Sequence, residues 1–176
     1  MTDAILHGAI AADFFQRAAL YKTEGDNEKV LADLDAGLER EPGNLAALHL
    51  RASVERSTGD LNGAIADYTA ALRRDPNDLA SLRARAEIRI ANHDIDGALG
   101  DLATLVRRDP RDLTARYRRG TLEEQKSEFA RAIADYNFVL AHDHRFKDAR
   151  TALNRIVQAQ RKAAAEAARI ARANAA

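Results

Sequence analysis

"LEREPGNLA" at residues 38–46, "LRRDPNDLA" at 72–80 and "VRRDPRDLT" at 106–114 are near-copies of one another. Their prolines, Pro42, Pro76 and Pro110, stand 34 residues apart, and a fourth copy, "LAHDHRFKD" at 140–148, keeps the phase with His144 in place of proline. Self-similarity at a fixed period of this size marks a stack of units, each too small to bury its own apolar face alone. Function in such stacks sits on a surface assembled from several repeats rather than in one catalytic pocket.

Residues 45–78 show what one unit is. Leu45, Leu48, Ala52 and Val54 fall close to helical spacing. Gly59 ends that run, since glycine takes the left-handed conformation of a helix terminus, and Asp60 is an N-cap for the next helix. A second amphipathic run carries Ala64, Ile65, Tyr68, Ala71 and Leu72 on one side. Asp75-Pro76 closes it, because proline lacks the amide that would continue the ladder, and Asp78 caps the following helix. The unit is therefore helix, tight turn, helix, tight turn. Ala18, Ala52, Ala86 and Gly120 recur in the first helices, and Val30, Ala64, Ala98 and Ala132 in the second. Such small residues let helix axes approach to roughly 8–10 Å.

These features resemble the tetratricopeptide repeat family over residues 11–146, read as four repeats at 11–44, 45–78, 79–112 and 113–146. The matching residues are the small eighth and twentieth positions, the bulky twenty-fourth (Leu34, Tyr68, Leu102, Tyr136) and the proline near the repeat's end. The resemblance implies an all-α fold, a right-handed superhelical solenoid of helix-turn-helix repeats with a concave groove lined by the first helix of each pair. The sequence departs from the pattern where the turn glycines Gly25 and Gly59 become His93 and Ser127, and at His144. Those changes bear on how tightly the last turns close. A domain of repeats over 1–146, with a helical extension at 1–10, is expected to be followed by a capping helix and tail at 147–176.

A second periodicity is charged. Arg17, Arg51, Arg85 and Arg119 recur in the first helices, and Asp33, Asp67, Asp101 and Asp135 in the second. They are expected to form partly buried, bidentate ion pairs within each repeat. The resemblance implies an apolar residue where these arginines stand, so their aliphatic stems must still fill space. Phasing the chain onto the implied groove puts Phe15, Ala19 and Lys22 there from repeat one and His49, Ser53 and Arg56 from repeat two. Repeat three supplies Arg83, Glu87 and Ile90, and repeat four Tyr117, Thr121 and Glu124 with Arg118 at the edge. Arginine and tyrosine are common interface residues, and this set suits a peptide or helix of acidic character; a generic solvated face is the plainer reading. The carboxylate clamp of chaperone-binding relatives is not matched. Its positions read Phe15, Ala19, Leu50, Ala80 and Ala84, or His49, Ser53, Ala84, Thr114 and Arg118 one repeat later, and Arg118 alone fits.

Enzyme chemistry finds no footing in the sequence. There is no cysteine, hence no thiol nucleophile, disulfide or zinc–thiolate site. "GDLNG" at 59–63 lacks the spacing and lysine of a phosphate loop, and the serines sit on no strand–turn–helix elbow. His142, Asp143 and His144 have ligand chemistry but occupy an ordinary turn. Arg73-Arg74 and Arg107-Arg108 lie at helix ends, where cations favour the dipole, and a pI near 7.0 does not suggest nucleic acid. No cofactor or metal is expected. The start, with Asp3, Asp13 and no basic region, is a poor secretory signal, and no apolar run nears the ~18 residues of a span. A cytoplasmic protein without a membrane partner is expected.

Charge is placed unevenly although the net is zero: residues 1–44 hold nine acidic and four basic side chains, residues 147–176 two acidic and seven basic. Both ends are simply solvated, or they pair between copies. After Phe146 the alanine-rich sequence without glycine or proline predicts one helix over about 145–173. Leu153, Ile156 and Val157 should cover repeat four, while an alanine seam (Ala163, Ala164, Ala167, Ala171) ringed by Arg161, Lys162, Arg169 and Arg172 runs on beyond it. The leading expectation is a non-enzymatic scaffold that binds a partner's peptide or helix in its groove. The alternative is a self-assembling structural protein, a homodimer among its forms, joined through the C-terminal helix and complementary charged ends.

Overall fold

The computed structural model describes residues 10–175; the extension expected over 1–10 lies, but for Ile10, outside the described residues. The described residues form α1 (Ala11–Glu24), α2 (Asn27–Arg40), α3 (Leu45–Thr58), α4 (Leu61–Arg74), α5 (Leu79–Ala91), α6 (Ile95–Arg108), α7 (Leu113–Gln125), α8 (Phe129–His142) and α9 (Lys147–Asn174), with no strand among them. They divide into two compact units, the first ending at Asp101 and the second beginning at Leu102. In the first, α1 packs on α2, α2 on α3, α3 on α4 and α4 on α5; in the second, α7 packs on α8 and α8 on α9.

The turns inside each pair explain the helix boundaries. Gly25 (φ 78°), Gly59 (φ 93°), His93 (φ 59°) and Ser127 (φ 60°) all take the left-handed conformation at helix ends. In each, the next residue's amide reaches back five residues: Asp26 to Tyr21, Asp60 to Glu55, Asp94 to Arg89 and Glu128 to Glu123, at 2.8–3.1 Å. This is the Schellman closure, which satisfies carbonyls a helix end leaves open. The turns at His93 and Ser127 thus close as the glycine turns do, with two side chains held where L-residues are disfavoured. Asp26, Asp60 and Asp94 then cap the second helices through the amides of Lys29, Gly63 and Gly97.

The turns between pairs are held by side chains as much as by proline. The Asp75, Asp109 and Asp143 carboxylates accept from the amides of Asn77, Arg111 and Arg145, two residues on. Such Asx turns shape the backbone without help from the next residue, so repeat four keeps its turn with His144 where proline stands elsewhere.

Small residues mark the closest helix contacts. Ala18, Ala52, Ala64, Ala98 and Ala132 have no exposed surface. In the first unit Ala18, Val30, Leu34, Leu48 and Val54 share one core cluster, and Ala52, Ala64, Tyr68 and Ile88 another. In the second, Ala132, Tyr136 and Val139 pack with Ala149, Ala152 and Ile156 of α9. Gly120 is an alanine position emptied further: a Cβ there would sit 2.8 Å from the ring of the fully buried Tyr136.

Two substitutions separate these constraints. Gly120→Ala, which raises helix propensity by ~1 kcal/mol, is expected to lower stability by about 1–3 kcal/mol through overpacking; a higher melting temperature would contradict the close contact. His93→Gly and Ser127→Gly should each raise stability by roughly 0.5–1 kcal/mol by relieving the left-handed backbone, read by denaturant unfolding; a loss at either would contradict the strain.

Candidate functional site

Each helical pair buries an aspartate, and a buried carboxylate is costly unless a cation and hydrogen bonds meet it. The Asp33, Asp67, Asp101 and Asp135 side chains are only 8%, 5%, 4% and 4% exposed. Arg17, Arg51, Arg85 and Arg119 meet them in the fork-to-fork arrangement, Nε on one oxygen and Nη2 on the other. The distances are 2.8 and 2.6 Å for Arg51–Asp67, 3.0 and 2.6 Å for Arg85–Asp101, and 2.7 and 2.7 Å for Arg119–Asp135; Arg17–Asp33 has the same two bonds. The spare Nη1 of Arg51 donates to Asp35 (2.6 Å) and that of Arg85 to Thr69 Oγ1 (2.8 Å). Asp35 and Thr69 are themselves 34 residues apart. In the first unit one guanidinium therefore ties its own pair and the pair before it, a link that pairing within repeats does not foretell.

Beside the clamps, one position per repeat varies: Tyr21, Glu55, Arg89 and Glu123. Tyr21 lies under the Lys29 ammonium, 5.1 Å from the ring centre, and Arg89 adds a second cation to Asp101 at 2.7 Å. Glu55 and Glu123 instead bring a carboxylate to 3.9 Å from the clamp arginine, each with a buried Oε2 that has no hydrogen-bond partner. Burial, then the neighbouring Asp67, pushes the Glu55 carboxyl up to about 7 from its ordinary 4.5. Burial and Asp135 raise Glu123 in the same direction.

The first-helix face of the first unit carries side chains that link neighbouring pairs. His49 Nε2 lies 2.6 Å from Asp78 Oδ2 and 2.8 Å from Ser81 Oγ, and the Ser81 hydroxyl donates to the same carboxylate oxygen. Burial pushes Asp78 up, but the Ser81 hydroxyl and amide, with His49, outweigh it and hold the carboxyl below its usual range. His, Asp and Ser share one contact point and Ser81 is fully buried, so the cluster latches α3 to α5; it does not present a nucleophile. Arg56 and Glu87 approach to 3.7 Å across the same face, at 47% and 35% side-chain exposure. Ser53 and Ile90 are half-buried there, and Ala19, Lys22 and Arg83 are exposed. Phe15 is half-buried and its ring fills the space a Cβ on Gly37 would need, so it packs its own helix pair.

In the second unit two of the equivalent side chains, Tyr117 and Glu124, are engaged by α9 and its start. Tyr117 packs 5.8 Å from the Tyr136 ring and 5.1 Å from Phe146, centre to centre. Thr121 turns its hydroxyl back to its own helix, and Arg118 is half-buried. Glu124 accepts from Tyr136 Oη (3.0 Å) and from Arg155 Nε and Nη2 (2.9 Å each). Arg155 chiefly holds the Glu124 carboxyl below its ordinary value. Arg155 lies beyond the four repeats, so no periodicity marked it.

The sign of the Glu55 shift sets a pH dependence. Folded chain keeps that proton to about pH 7 while unfolded chain loses it at the ordinary value, so stability falls as pH rises between the two. Glu55→Gln, which mimics the protonated acid, should be more stable than wild type by on the order of 2 kcal/mol at pH 8 and equal to it near pH 4.5. Denaturant melts of both proteins across that range check this; a variant no more stable at pH 8 would contradict it.

Known proteins agree with this architecture. The family model described as "Tetratricopeptide repeat" matches residues 15–78 and 83–141. A tetratricopeptide repeat protein from Parabacteroides merdae superposes with a TM-score of 0.72 at 26% identity, over 80% of this chain and 56% of its own. The chain thus spans little more than half of that relative. MamA from Desulfovibrio magneticus RS-1 gives 0.71 at 18% identity, over 89% of each chain. YrrB, described as a protein of this repeat type with an unusual peptide-binding site, gives 0.67 at 15%, over 82% of this chain and 74% of its own. No curated protein matches the sequence. With matched repeats over most of its length, a helical pair in each repeat and the same left-handed closure in all four, the chain belongs to the tetratricopeptide repeat family.

Proposed function

We propose that the protein is a non-enzymatic interaction scaffold that binds an acidic peptide or helix of a partner protein along the first-helix face of its first unit. The observation that carries this reading is the character of that face. Lys22, Arg56 and Arg83 are exposed and His49 partly so, with Glu87 the opposing charge among the residues placed there. The arrangement is held from behind by the clamps and from the side by the His49–Asp78–Ser81 latch, so little ordering remains to oppose binding. Membership of an interaction-repeat family and the peptide-binding site ascribed to YrrB support the same reading. Tyr117 and Glu124 contribute by seating α9, with Arg118 and Thr121 on the same helix. No helix among the described residues is long and apolar enough to cross a membrane, and the cytoplasm is the compartment that a cysteine-free scaffold of this kind suits.

The test uses Lys22→Glu/Arg83→Glu, since both side chains are exposed and neither belongs to a clamp. A partner recovered from the host's lysate by wild type should be bound at least about tenfold more weakly by the variant, with unchanged circular dichroism. Equal affinity for the same partner would overturn the assignment of this face.

A further inference from the structure

The tail of α9 and the outer side of α2 are matched in charge and in length. From Gln158 to Asn174 every residue of α9 is exposed. Arg161, Ala165, Ala168 and Arg172 fall on one side of it, with Lys162 and Arg169 flanking. Arg169 pairs with Glu166 at 2.8 Å; Arg161, Lys162 and Arg172 have no carboxylate partner among the described residues. On α2, Glu28, Ala32, Asp35 and Glu39 likewise fall on one exposed side. Asp35 remains 61% exposed despite its bond to Arg51. In both stripes the terminal charges are 11 residues apart, roughly 16 Å along a helix, and alanines in the middle let two helices approach.

The acidic stripe is not a demand of the fold. Its equivalents are Asn62, Ala66, Thr69 and Arg73 on α4, Asp96, Gly100, Ala103 and Arg107 on α6, and Ala130, Ala134, Asn137 and Ala141 on α8. Repeat one alone carries it, and the tail alone carries the basic complement. Two tails would meet with like charge, four cations against one acid on each, which disfavours tail-to-tail pairing.

We infer that the basic tail of one copy docks on the Glu28–Asp35–Glu39 side of α2 in a second copy. The two surfaces differ, so the contact is heterologous and builds chains or rings rather than a closed two-fold dimer. Exposed ion pairs are individually weak and screened by salt, so the association is a salt-sensitive one that grows with protein concentration. It does not use the first-helix face, and it meets the clamps only through Asp35, the second acceptor of Arg51, so it stands or falls apart from the peptide-binding reading.

Sedimentation equilibrium of the full chain tests this with two charge-reversed proteins, Arg161→Glu/Arg172→Glu and Glu28→Lys/Glu39→Lys, all four sites being exposed. Wild type should gain mass with concentration at about 50 mM salt and lose that gain at about 500 mM. Each variant alone should associate at least about tenfold more weakly, and an equimolar mixture of the two should recover association, because the unaltered tail of one then meets the unaltered α2 of the other, and the two reversed surfaces also match. Wild type that stays monomeric at every concentration overturns the inference and leaves the tail to its own chain or to another partner. So does a mixture that fails to recover association while both variants keep wild-type helicity.

Discussion

A carboxylate buried in every helical pair is the constraint on which the rest of the structure depends. Left alone, each aspartate would cost several kcal/mol; met by a guanidinium fork, it fixes the distance, rotation and register of two helices at once. The small eighth and twentieth residues set how near the helices come, and the arginine stem, lying where the family places an apolar side chain, fills the space that remains. A buried ion pair adds little net stability over a well-packed apolar pair. Its contribution is to admit one arrangement, and the second bonds of Arg51 to Asp35 and of Arg85 to Thr69 extend that arrangement from one pair to its neighbour in the first unit.

With pairs clamped from within, the faces of the first helices are released from structural duty to different degrees. In the first unit they are lightly engaged, through the His49 latch and the Arg56–Glu87 approach, and stay accessible to a partner. In the second unit α9 and its start engage two of the corresponding side chains, Arg155 meeting Glu124 as the clamp arginines meet their aspartates. The varied position beside the clamp changes the local balance again. Arg89 reinforces its aspartate, whereas Glu55 and Glu123 oppose theirs and take up protons more readily than ordinary glutamates.

Much of this was legible in the sequence, for physical reasons that also mark where legibility ends. A 34-residue period shows itself wherever repeats solve a problem with the same or a similar residue: the small side chains at helix contacts, the arginine and aspartate of the clamp, the aspartates that cap three of the second helices. It hides solutions that differ between repeats. His93 and Ser127 adopt the glycine conformation without being glycine, because the backbone bonds closing the turn outweigh a disfavoured φ. Asp143 keeps the fourth turn without proline. The link from Arg51 to Asp35 is hidden in the sequence because its acceptor becomes threonine one repeat later. For the candidate site, residue types were readable but engagement was not: Phe15 and Tyr117 satisfy the groove phase, yet one packs over Gly37 and the other beneath the start of α9.

The central claim is that the buried arginine–aspartate fork specifies each helical pair. A double-mutant cycle on Arg51 and Asp67 tests it most directly, using Arg51→Met, Asp67→Leu and the combination, read as unfolding free energies. Arg51→Met should cost about 3 kcal/mol or more, because it strands the buried Asp67, Asp67→Leu about 1–3 kcal/mol, because Arg51 keeps Asp35, and the double should recover much of the loss. Single changes that each cost under about 1 kcal/mol and simply add would show that the fork is incidental to the pairing of the helices.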